Sequence, residues 1–73
     1  MKRQLKVIIE REGDGFVALS PELDIASQGG SIEAARANLR EALELFFEAA
    51  LPEEIHERLA TEVYITQVEV AVG

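Results

Sequence analysis

From Phe16 to Phe47 the chain runs unbroken through FVALSPELDIASQGGSIEAARANLREALELFF, and this order of local signals leaves few folds open. Phe16 to Ser20 reads as a strand, and Pro21 closes it because proline has no N–H to give a sheet ladder. Asp24 to Gln28 reads as a second, short strand anchored by Ile25, and Gly29-Gly30 breaks it. Ser31 is then placed to cap a helix, its hydroxyl accepting a free N–H of the first turn, with Glu33 at the positive end of the helix dipole. The spacing predicts a helix from about Ile32 to Ala50. Its buried stripe is Ile32, Ala35, Leu39, Ala42, Leu43, Phe46 and Ala50. Arg40 and Glu44 are set to pair one turn apart.

The flanks extend the pattern. Gln4 to Arg11 alternates with a period of two and reads as a leading strand. Glu12-Gly13-Asp14-Gly15 joins it to the next as a hairpin turn, with Asp14-Gly15 as the dipeptide that takes positive φ. Pro52 ends the long helix near Leu51 and starts a short one containing Ile55 and Leu59. Glu62 to Val72 reads as a last strand. Val63 and Ile65 lie in one phase and Val68, Val70 and Val72 in the other, which predicts a bulge at Thr66-Gln67. The expected fold is α+β: a small antiparallel sheet in the order β-β-β-α-β, with the long helix packed on one face, as a single domain over residues 1–73.

Ile8, Val17 and Leu19 alternate out of phase with Leu5, Val7, Ile9, Phe16 and Ala18, so both faces of the first hairpin are partly apolar. Either a second copy or partner covers the extra face, or the residues beyond Thr61 fold over it. A chain of 73 residues builds only a small core, and assembly is a common remedy, so a homo-oligomer, most simply a homodimer, is expected. Cysteine is absent, which removes disulfides, thiolate nucleophiles and cysteine metal sites and fits a reducing cytoplasm. No secretory leader and no membrane-spanning run is expected.

The net charge of −7 argues against nucleic acid as a direct ligand and favours a basic partner. Lys2, Arg3, Lys6 and Arg11 make the first strand basic. Glu41, Glu44, Glu48, Glu53, Glu54 and Glu57 make the second half acidic. Glu10, Asp14, Asp24 and Glu33 are the carboxylates nearest strand ends, where divalent metal would be held for phosphodiester cleavage. They read instead as a solvated strand face, a turn residue and a helix-start charge. His56 lacks a positioned nucleophile and reads as an exposed helix residue. Gln28-Gly29-Gly30-Ser31 lacks the lysine of a phosphate-binding loop and reads as a tight β-to-α connection. No catalytic residue, metal or cofactor is expected. Phe46 follows the core stripe. Phe47, about 100° further round the helix, is open either to partner contact or to cover by the C-terminal segment.

The ordered set Asp14-Gly15, Ser20-Pro21-Glu22-Leu23, Ser27-Gln28-Gly29, Ser31-Ile32-Glu33-Ala34-Ala35 and Asn38-Leu39-Arg40-Glu41-Ala42-Leu43 resembles the N-terminal domain of HicB-type antitoxins. Ala34 departs from the glutamate often found there, and the chain leaves no room before Gly73 for the DNA-binding domain that many such antitoxins carry. The resemblance implies a partial RNase H-like fold without a working active site. It also implies a non-enzymatic, cytoplasmic role: neutralising a small basic HicA-like mRNA interferase toxin. An orphan homodimeric interaction or regulatory domain is the alternative. The expected partner contact is Ser20, Pro21, Glu22 and Asp24, where Pro21 frees the loop from the sheet, together with Phe47. The helix carboxylates Glu41, Glu44 and Glu48 form the competing site.

Overall fold

The computed structural model describes residues 3–73; Lys2, assigned to the basic first strand, lies outside the described residues. Three strands come first: β1 (Ile8–Glu12), β2 (Gly15–Ser20) and β3 (Ile25–Gly29). Two helices follow, α1 (Ile32–Ala49) and α2 (Pro52–Leu59). The strands form one antiparallel sheet in the order β1-β2-β3. The fold class is therefore α+β. β2, β3 and α1 fall within a residue of where the alternation and the cap place them, whereas β1 begins at Ile8 rather than at Gln4, because residues before Ile8 lie beyond the last β2 partner, Leu19.

The hairpin closes with Glu12 opposite Gly15, leaving Gly13 and Asp14 as its two turn residues. The positive φ, 58°, falls on Gly13, and neither Asp14 nor Gly15 shares it. The turn thus uses glycine at its first central position rather than the expected Asp14-Gly15 pair. Glycine there removes the steric penalty that any Cβ meets in the left-handed region.

Pairing fixes the faces. Ile9 lies opposite Ala18, and Ala18 opposite Ser27. That row looks toward α1. Ile8, Leu19 and Ala26 form the neighbouring row, which looks away. The core is Ala18, Ala35 and Leu39, with Val7, Ile9, Phe16, Ile25 and Leu43 packed around it. Small residues on both surfaces let helix and sheet approach closely. Gly29 sets the limit: a Cβ there would stand 2.5 Å from the Ala35 nitrogen and 2.7 Å from the Ala34 carbonyl carbon. The Gln-Gly-Gly break is therefore also a packing requirement at Gly29.

Ser31 caps α1 as expected, its Oγ accepting the Ala34 N–H at 3.0 Å. Of the proposed stripe only Ala35 and Leu39 are fully buried. Ala42, Leu43, Phe46 and Ala50 are half-buried, and Ile32 is exposed. Full burial therefore stops in the first half of the helix, because α1 lies over β3 and β2 and barely reaches β1. Pro52 starts α2 at its first turn, where a missing N–H costs nothing.

The expected fourth strand is the main difference. Glu62 to Val72 forms no ladder with the sheet, so there is also no bulge at Thr66-Gln67. Val63 is half-buried, but Tyr64, Ile65, Val68, Val70 and Val72 are exposed. These residues do not fold over the outer sheet face, and Ile8, Val17 and Leu19 remain half-buried on it. A strand needs a partner edge, and this segment pairs with none among the described residues.

Candidate interaction surface

The structure draws the β2–β3 connection, the end of α1 and α2 together through one side chain. The Arg58 guanidinium donates to the Leu23 carbonyl oxygen at 2.7 Å. It also lies 5.3 Å from the centre of the Phe46 ring and 3.6 Å from Glu54 Oε1. Phe46 in turn meets Phe47 edge-on, with ring centres 5.5 Å apart. Phe47 and the 20–24 loop are thereby linked across the fold. Sequence reading missed Arg58. Its spacing from Glu54 announces the local pair, but nothing announces a hydrogen bond to a loop 35 positions earlier.

The loop residues differ sharply in what they offer. Ser20 is fully buried, and its Oγ has no hydrogen-bond partner among the described residues. It lies beneath the surface rather than on it. Leu23 is also fully buried, pinning the loop from its centre. Glu22 folds back on the chain before β1: Oε1 accepts the Lys6 N–H at 2.9 Å and Oε2 stands 3.7 Å from Lys6 Nζ. Its side chain is only 13 % exposed, so its charge is already partnered. Asp24 is exposed and held at φ 55°, a conformation that aspartate tolerates better than most residues. Pro21 is half-buried. Phe46 is half-buried rather than core, covered on one side by Arg58, and Phe47 is half-buried beside it.

Both helices carry exposed acidic side chains. Glu41, Glu44 and Glu48 on α1 and Glu53, Glu54 and Glu57 on α2 are exposed. The last turn of α1 carries no basic residue. Glu48, in that last turn, faces the negative end of the helix dipole, an arrangement that costs a few tenths of a kcal/mol to about 1 kcal/mol. Among Glu41, Glu44 and Glu48 only Glu44 has an intrahelical partner, Arg40 at 3.7 Å, and that pair is exposed.

The remaining carboxylates weighed for metal do not converge. Glu10 lies on the strand, Asp14 in the hairpin turn, Asp24 in the next loop and Glu33 in the first turn of α1. Among the described residues no group of three or more histidines and carboxylates comes together. Two open hollows mark the surface. One, of about 340 Å³, lies at the hairpin end beside Asp14, Phe16 and Gly30; the other, of about 460 Å³, lies between Arg3 and the Ile55–Leu59 side of α2. No helix among the described residues is long and apolar enough to cross a membrane.

No family model matches this chain, and no curated protein or solved structure matches it.

Proposed function

We propose that this chain is a HicB-like antitoxin domain that binds and neutralises a small basic HicA-like mRNA interferase. The ordered motifs from Asp14-Gly15 to Ala42-Leu43 support the kind of partner. One structural observation supports its charge: six exposed glutamates lie in the second half of α1 and in α2, with Glu48 set against the negative end of the α1 dipole. A surface that is electrostatically unfavourable alone is relieved by a cationic partner. The reading includes a partial RNase H-like relation for the sheet and α1, a non-enzymatic role, cytoplasmic location and no direct nucleic-acid binding. The proposed contact is Pro21, Glu22 and Asp24 together with Phe47, joined indirectly through Arg58 and Phe46, with Ser20 buried beneath.

The second reading is an orphan homodimeric interaction or regulatory domain. It is favoured by the exposed apolar residues beyond Thr61, which call for a partner whether or not a toxin exists. Homo-oligomerisation is part of both readings.

Purification of tagged protein from its native host, with mass spectrometry of bound proteins, tests the first reading. A small basic protein should be recovered, its association weakening with salt, and its expression alone should arrest growth until this chain is co-expressed. Recovery of this chain alone, with no neighbouring gene for a basic partner, selects the orphan reading.

A further inference from the structure

We infer that residues 62–72 are a β-strand donated to a second copy of this chain, pairing with the free outer edge of its β1. The inference rests on the homo-oligomer reading above and names the surface that forms it.

The donor is recognisable by composition and pattern. Residues 62–72, EVYITQVEVAV, contain no glycine or proline and are dominated by β-branched and aromatic residues. Such a composition favours sheet and does not suit a disordered tail. Tyr64, Thr66, Val68, Val70 and Val72 fall on one side of an extended chain. All but Thr66 are large and apolar, with exposures from 68 % to 92 %. Eleven extended residues span about 36 Å. The radius of gyration, 14.4 Å, exceeds the roughly 11 Å of a compact chain of this length, consistent with an arm that leaves the body. An uncovered strand of this kind invites aggregation unless a defined partner takes it.

The acceptor follows from comparing the two sheet edges. At the β3 edge the Gln28 carbonyl is already taken by Asn38 Nδ2 of α1, at 2.8 Å. At the β1 edge no strand pairs among the described residues, and α1 barely reaches across it. Val7 and Ile9 are half-buried there on the helix side, and Ile8 on the other. A strand added beside β1 extends both apolar faces. Charge at that edge is mixed, with Arg11 between Glu10 and Glu12 in β1 and with Arg3 and the Glu22-paired Lys6 before it, so the pairing rests on the free edge and the apolar faces. Reciprocal exchange makes the contact isologous, each copy giving and receiving one strand, so the assembly closes as a dimer.

The full chain contains no cysteine, so introduced cysteines report without background. Sedimentation of the wild-type chain should give twice the monomer mass, and the arm amides should be protected from hydrogen exchange in the dimer. The double variant Val68→Asp/Val70→Asp should sediment as a monomer and keep its helical circular dichroism. A mixture of Glu10→Cys and Glu69→Cys chains treated with a short bis-maleimide should cross-link one variant to the other. A monomeric wild type from micromolar to hundred-micromolar concentration removes both the oligomer and this inference. A wild-type dimer whose arm exchanges freely, or whose double variant remains dimeric, removes the inference alone. So does cross-linking confined to Glu69→Cys with itself, which would place the arms against each other.

Discussion

Arg58 donates its guanidinium N–H to the carbonyl oxygen of Leu23 at 2.7 Å, tying the last turn of α2 to the loop between β2 and β3. The same group lies over Phe46, so α2 is held by one side chain acting in two ways. Arg58→Ala should therefore destabilise the chain by about 1–2 kcal/mol, the combined scale of a charge-assisted hydrogen bond and a partly exposed cation–π contact. Arg58→Lys should recover little, because an ammonium lacks the planar fork. Thermal melts give the stability change. Hydrogen exchange should show α2 amides opening before those of α1, and equal protection of both would contradict the assignment.

Gly29→Ala should be among the most damaging single-methyl additions in the chain. Its Cβ meets backbone atoms of α1 that cannot give way, so strand and helix must separate, at a cost of about 1–3 kcal/mol or more. Gly15→Ala should behave similarly, since its Cβ would lie 2.8 Å from the Gly29 oxygen. Gly30→Ala meets nothing within 4 Å and should be nearly silent. Urea melts of the three variants rank the effect. Equal midpoints would show that the helix–sheet spacing is not set by Gly29.

Ser20→Ala should leave stability unchanged or raise it. The hydroxyl is fully buried without a partner, and such a group carries an uncompensated desolvation cost of about 1–3 kcal/mol. A lower melting temperature would mean that Oγ satisfies a partner, and a bound water would be the first place to look.

Asp24→Gly should be tolerated, because glycine takes φ near 55° without strain, while Asp24→Val should cost about 1–2 kcal/mol. For partner binding, charge reversal at Glu22 and Asp24 should slow association more than reversal at Glu44 and Glu48. Stopped-flow mixing with the recovered partner at low and high salt measures both. Greater damage from the helix pair would move the contact onto α1.

Much of this fold is legible because local chemistry decides it. The Ser31 hydroxyl, Pro52 and the alternation around Ile9 and Ala18 each act within a few residues, and the elements start or stop there. The hairpin turn falls at Glu12-Gly13-Asp14-Gly15 as expected, but the positive φ sits on Gly13 rather than in Asp14-Gly15, because the two dipeptides carry nearly the same local signal and only the Glu12–Gly15 pairing separates them. The fourth strand fails for a different reason. Periodicity reports that Glu62 to Val72 suits a sheet, but not whether an edge of the sheet is placed to receive it. Site chemistry is the least legible part. The Lys6–Glu22 contact and the Arg58–Leu23 bond each join residues far apart in the chain, so neither leaves a spacing to read.

Leu23 is fully buried at the centre of a connection whose neighbours are Glu22, half-buried against Lys6, and Asp24, exposed. The loop is thus nailed at its middle, unlike the slack connections that tolerate insertion and drift. Adding or deleting a residue between Pro21 and Asp24 would pull Leu23 out of the core and shift the carbonyl that Arg58 binds. Evolution can therefore retune this end of the molecule only by exchanging side chains around a fixed leucine, never by changing the loop's length. Lineages that diverge in recognition should keep the spacing and vary the letters.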